Sequence, residues 1–272
     1  NSVIKEIEFS NEVNGILFRT DVLIVSYGYH VSFFNSCNFH EYYKTINPTK
    51  SIEMISFIQN ISLSLVCLPT STSFVPPKIE LENSQCFDIE RIEICDYHDP
   101  YWILGHISPL PTPRLSHAEF SRDGEMLAFA NEDGRTIYLY TIIPQIQFIA
   151  TFSRSSILKS RVTGLSFDSL SNFILLSLDN RLLIVFSIPQ FQSSNHSIHN
   201  NEFLPIHVKD KIVFEFPKGS DFRCKFDDNG YLITAIIKPT SKQPSQVNHF
   251  RLDLAKNNLD LIKQESIELD RS

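Results

Sequence analysis

The chain has 272 residues, 42% of them hydrophobic, with 22 Phe, 8 Gly and a formal net charge of −7. That length admits one large all-β domain or two small ones, and the wealth of aromatic and β-branched residues favours strands over helices. The acidic balance excludes a nucleic-acid binder that works through general positive charge, while leaving room for a small basic phosphate site.

Val3–Phe9 reads as one strand with nothing before it. Short apolar runs at residues 14–19, 22–27, 30–35 and 41–46 then form a four-stranded meander. A second set is expected at 52–58, 63–68, 87–95 and 102–107, interrupted by a polar, proline-bearing loop at 69–84. The third set lies at 115–120, 126–130, 136–142 and 147–152. The fourth lies at 162–167, 173–178, 182–188 and 212–216, with an Asn-, Ser- and His-rich loop at 189–210 before its last strand. The fifth lies at 222–226, 231–237, 248–254 and 261–267. No sustained 3.6-residue periodicity is present.

Between Arg114 and Phe186 the same pattern is written twice: a strand ending in Phe, a polar turn, an apolar strand, a second turn, and a strand ending in an aromatic. A repeat of about 40 to 50 residues is the period of a β-propeller blade. The chain therefore reads as all-β, a single β-propeller domain over residues 1–272 with about five blades represented. The lone first strand reads as the outer strand of a preceding blade, so the sequence is expected to begin inside a larger ring; the alternative is a five-blade ring that closes some other way.

Chemistry is sparse. No nucleophile elbow, phosphate-binding glycine loop or zinc-protease motif occurs, and acid pairs such as Glu132-Asp133 and Asp227-Asp228 fall at turns, where they serve the backbone. An enzyme is not expected, and neither is a metal or cofactor. Cys37, Cys67, Cys86, Cys95 and Cys224 form no C-x-x-C pair and read as buried free thiols in a reducing compartment. No signal peptide is read, and no apolar run approaches the about 18 residues that span a bilayer. His106, His117, Arg135, Thr136, Arg154, Lys159, Arg161 and Thr163 gather basic and hydroxyl groups in neighbouring blades. Guanidinium and hydroxyl donors suit a phosphate, although the same residues also read as ordinary solvated blade edges. Phe191, Ile198, Phe203 and Leu204 in the 189–210 loop could enter a membrane interface or belong to a surface insertion.

These residues resemble the PROPPIN family, seven-bladed propellers that bind phosphoinositides and act in autophagy. Ser2–Phe9 is similar to the strand closing the family's blade two, and residues 15–35 to its third blade. Gly105-His106, Phe120-Ser121-Arg122-Asp123-Gly124 and Asp133-Gly134-Arg135-Thr136 resemble blade five. Phe216-Pro217 resembles the closure of blade six, and residues 189–210 fall where the family carries its membrane-inserting loop. The family's F-R-R-G hallmark is matched by Phe152-Ser153-Arg154-Ser155, which keeps the second arginine and loses the first. One lost guanidinium contact is worth on the order of 2 kcal/mol, roughly thirtyfold in affinity. Asn131 stands where a Ser is usual, Arg135 or Thr136 falls at the family Thr, and Asp179-Asn180-Arg181 replaces hydroxyl- and lysine-bearing positions of the second pocket.

The resemblance implies a non-catalytic, monomeric, cytoplasmic propeller peripheral to preautophagosomal, endosomal or vacuolar membranes. It implies binding of phosphatidylinositol 3-phosphate or the 3,5-bisphosphate through His106, Arg135, Thr136, Arg154 and Arg161. Its partners would be phosphoinositide-containing membranes and autophagy proteins, with no nucleic acid. The alternative is a protein-interaction scaffold with degenerate lipid sites, favoured by the F-S-R-S letters and Asp179.

Overall fold

In the computed structural model, short polar turns fold successive apolar runs back on themselves, as the sequence pattern demands. The structure describes all residues except 1–4, 50, 59–62, 72–88, 113, 155–158, 189–205, 209–210, 216–219, 227–231, 240–244, 254–257 and 268–272. Two compact units divide the chain, Asn1–Ser116 and His117–Ser272.

The first unit holds two sheets. The first is β1 (Val13–Phe18), β2 (Val22–Tyr27), β3 (His30–Asn35) and β4 (Glu41–Ile46), antiparallel in chain order. The second is β5 (Ser56–Phe57), β6 (Leu65–Thr70), β7 (Arg91–Asp96) and β8 (Ile103–Ile107), again in chain order. Val22, Ile24, Val31, Phe33, Ile55, Val66, Leu68, Cys95 and Tyr97 bury one core between them.

Two expectations fail in this unit. Residues 5–9 carry no strand; Ile7 and Phe9 instead pack on Val25, Tyr27 and Phe34 without joining a ladder. The run from Ile52 starts as a single 3-10 turn over Ile52–Met54, because the Ser51 hydroxyl accepts the Glu53 N–H and caps it. That leaves β5 only two residues long. Pro69 then lies in β6 beyond the reach of β5, where its missing N–H costs no ladder bond.

The second unit carries the doubled pattern. Its first sheet contains β9 (Leu115–Phe120), whose first two residues fall before the unit boundary, then β10 (Met126–Asn131), β11 (Thr136–Thr141) and β12 (Gln147–Ser153). The next contains β13 (Val162–Phe167), β14 (Phe173–Leu178), β15 (Leu182–Ser187) and β17 (Lys211–Glu215). The last contains β18 (Ser220–Phe226), β19 (Leu232–Pro239), β20 (Ser245–Asp253) and β21 (Asn258–Ile267). Most of the 189–210 loop lies outside the described residues, but its end forms an unforeseen strand, β16 (Ile206–Val208). β16 pairs in parallel with β12, so the chain leaves one sheet, touches the edge of the previous one and returns as β17.

The repeat persists in the backbone where the letters change. Gly124 (φ 78°) and Gly134 (φ 64°) take left-handed conformations at the two turns of the first copy. Ser171 (φ 57°) and Arg181 (φ 67°) take them at the corresponding turns of the second. A non-glycine residue there costs of order 1 kcal/mol, so pairing across β13, β14 and β15 over-determines the turns.

The sheets of this unit approach closely. A Cβ on Gly164 would lie 2.6 Å from the Cys224 carbonyl oxygen and 2.8 Å from Ser177 Oγ, so only glycine admits β18 here. Ser177 Oγ accepts the Cys224 N–H at 3.3 Å and Ser166 Oγ accepts the Phe226 N–H at 3.0 Å, stapling one sheet to the backbone of the next.

Candidate functional site

Phe152, at the end of β12, is fully buried against Phe186 with ring centroids 5.4 Å apart. That anchor carries the chain inward, and Arg154 follows it into the protein with only 7% exposure. The Arg154 N–H donates to the Arg135 carbonyl at 2.8 Å, tying the joint to the turn between β10 and β11. The Arg135 N–H donates to Asp133 Oδ1 at 3.0 Å, and its Nε lies 3.6 Å from Asp133 Oδ2. Gly134 lets this turn press on the next sheet: a Cβ there would sit 2.4 Å from the Ser160 carbonyl oxygen and 2.7 Å from Leu178 Cδ2.

Across the joint, the turn between β14 and β15 mirrors the first. The Arg161 N–H donates to Asp179 Oδ1 at 3.0 Å, while the Asp179 N–H donates back to the Arg161 carbonyl at 2.9 Å. Arg154 therefore lies in the field of Asp133, Arg135 and Asp179. Burial pulls its guanidinium below the ordinary arginine range; Asp133 and Asp179 oppose that pull and Arg135 adds to it. An arginine keeps its charge regardless. The arrangement is a buried cation in the field of two carboxylates, each of which accepts a backbone amide.

The structure brings Arg135, Thr136, Arg154 and Arg161 to this joint. Thr136 opens β11 directly opposite Ser153, and Arg161 is exposed just before β13. His106 belongs to the other unit, exposed on β8 opposite Glu93. Ser155 of the F-S-R-S segment lies outside the described residues. His117 is buried at 8% exposure and its imidazole is pushed down to about 4, first by burial and then by Arg223 and Arg161. It is neutral at pH 7 and cannot supply the protonated donor that a phosphate pocket could use. Asp133 behaves as the turn acid that the sequence implies, and its position beside Arg154 was not legible at that level.

Among the described cysteines, Cys67, Cys95 and Cys224 are buried thiols, whereas Cys37 is exposed at the turn between β3 and β4, so one thiol departs from the expected burial. Among the described residues, no group of three or more acidic, His or Cys side chains is placed to hold a metal, and no helix is long and apolar enough to cross a membrane.

No family model and no curated protein matches the sequence. Solved structures do match. The Hsv2 structure from Kluyveromyces marxianus has a TM-score of 0.65 at 14% identity, covering 98% of this chain and 76% of its own. KlAtg21 in complex with the coiled-coil of AgAtg16 gives 0.71 at 15% identity, covering 98% and 74%. Hsv2p from Kluyveromyces lactis gives 0.68 at 14% identity, covering 98% and 77%. At these identities the likeness is one of fold. Hsv2 and Atg21 are PROPPIN propellers, so the chain has the all-β propeller fold of the family that its sequence resembles, with about five blades represented.

Proposed function

We propose that the protein is a non-catalytic phosphoinositide-binding propeller that acts in autophagy at membrane surfaces. The observation that carries this reading is Arg154, held by Phe152 and the Arg135 carbonyl at the joint where the related propellers are read to bind lipid. Arg154 is the main phosphate ligand, with Arg135, Thr136 and exposed Arg161 completing the donor set, and His106, in the first unit, is a further candidate ligand. The lipid class is phosphatidylinositol 3-phosphate or 3,5-bisphosphate. The protein is a monomer that associates peripherally with preautophagosomal, endosomal or vacuolar membranes and recruits autophagy proteins. The AgAtg16 coiled-coil bound to KlAtg21 is an example of such a partner for a relative.

Flotation with liposomes containing either lipid tests the proposal. Arg154→Ala is expected to weaken binding at least tenfold, and Arg161→Ala severalfold, with thermal melts to confirm folding. Wild-type protein that ignores both lipids, or an Arg154→Ala variant that binds unchanged, overturns it.

The second reading is an interaction scaffold with decayed lipid sites. It is favoured by Asp133 and Asp179, which already face Arg154, and by Ser153 in place of a second arginine. Protein that floats with no phosphoinositide yet binds an autophagy coiled-coil selects this reading.

A further inference from the structure

Tyr101, Trp102, Ile103 and Leu104 are consecutive large apolar residues, and all four are exposed, at 76%, 62%, 47% and 51%. They occupy the turn from β7 into β8 and the start of that strand. β8 is an edge of its sheet. Its register slips between Ile94 and Cys95, so that Leu104 is an extra residue opposite neither partner. This bulge turns Ile103 and Leu104 outward together, where a regular strand would bury one of them. Tyr101 is seated by Tyr43 of β4, with ring centroids 5.0 Å apart and planes at 85°. Isolated exposed apolar residues are ordinary; a fixed run of four with two aromatics marks a docking surface.

The charges around it select the occupant. No Lys or Arg occurs between Arg91 and Arg114, while Asp96 and Asp99 flank the turn. Asp21 stands beside them, accepting from the Tyr97 hydroxyl at 3.1 Å and lying 3.5 Å from His98 Nε2. Its counter-ion Arg19 is already engaged, with Nε 3.5 Å from Asp21 and the guanidinium over the Tyr97 ring. Burial pushes the Tyr97 hydroxyl up to about 12; Arg19 opposes that push, and Asp21 and Asp96 add to it. An anionic membrane is repelled by such a rim. A second copy of this chain would bring two acidic rims together.

We propose that this face docks a protein segment that presents apolar side chains flanked by lysine or arginine. Tyr101, Trp102 and Leu104 take the apolar groups, and Asp96 and Asp99 take the cations. The bulge sets the mode: it spoils the edge for strand addition, so side chains rather than backbone supply the contact. The surface belongs to the first unit and the Arg154 joint to the second, and docking here does not depend on lipid binding.

Trp102 is the one tryptophan of the chain, so its fluorescence reports on this face alone. The probe is a ten-residue synthetic peptide alternating leucine and lysine, with a glutamate-for-lysine control and phosphatidylcholine–phosphatidylserine vesicles. The lysine peptide is expected to shift Trp102 emission to shorter wavelength, saturably and at least tenfold more tightly than the glutamate peptide, less so at high salt. Asp99→Lys weakens that binding severalfold, and Leu104→Arg abolishes the shift while leaving flotation with phosphoinositide liposomes as in the wild type. Equal response to both peptides, no response, a shift with vesicles alone, or a dimer dissolved by Leu104→Arg each overturns the proposal.

Discussion

The joint around Arg154 and the turn around Trp102 invert the usual rule in opposite directions. At the first, a charge is inside, 7% exposed; at the second, an indole is outside, 62% exposed. Globular proteins rarely bury an arginine without compensation, and rarely leave contiguous aromatic surface uncovered without use. Each exception is held in place by ordinary means: Phe152 and the Arg135 carbonyl at the joint, a β-bulge and Tyr43 at the turn. Acidic side chains attend both. At Arg154 they neutralise a buried cation; at Trp102 they face solvent and wait for one.

Stability measurements separate the two most sharply. Removing the Arg154 side chain takes a buried guanidinium and its packing away from the field of Asp133 and Asp179, so Arg154→Ala is expected to lower unfolding free energy by about 3 kcal/mol in urea titrations. A loss below about 1 kcal/mol would mean that water already screens the joint.

Gly134→Ala comes next. It forces a side chain into a left-handed turn and against the Ser160 carbonyl and Leu178, for an expected loss of about 2 kcal/mol. Because the turn carries Asp133 and Arg135, the same variant should weaken liposome flotation even where it stays folded.

A third test uses pH. His117 is neutral when folded, with its pKa near 4, while an unfolded chain titrates near the ordinary 6.5. The unfolded state thus binds more protons between those values, so stability is complete at pH 7 and falls as pH drops from about 6.5 toward 4. Melting temperatures of wild type and His117→Asn at pH 7 and pH 5 should show a smaller drop for the variant. Equal drops would assign the acid sensitivity to carboxylates instead.

The smallest effect is expected at the other region. Trp102→Ser should change stability by less than about 0.5 kcal/mol in the same urea titrations, since the indole is largely outside the core. A large loss there would show that the aromatic run is structural and would remove the contrast.

The repeated half of the molecule was the most legible part. Between Leu115 and Leu178 the strands lie within a residue or two of where alternating apolar runs place them, because turn chemistry and pleat period agree. Even the loss of glycine at Ser171 and Arg181 did not hide the pattern. The Ile52–Ile58 run misled because an apolar stretch alone cannot distinguish a strand from a capped turn; Ser51 decides it. β16 was illegible, since three residues in a polar loop become a strand only when a neighbouring edge is there to receive them. At the site, residue types pointed to Arg154, Arg135, Thr136 and Arg161 together. The sequence did not show that Arg154 is buried or that Asp133 and Asp179 face it, because both depend on how two distant turns are brought side by side. His117 shows the converse: its type suggests a donor, and its burial removes the charge.

The parallel strand β16 has a mechanical consequence. β16 and β17 are near neighbours in sequence yet pair with different sheets, β16 with β12 and β17 with β15. A displacement of β17 therefore strains three residues that belong to another ladder. The two copies of the repeat are thus latched to one another at their edge as well as packed at their core.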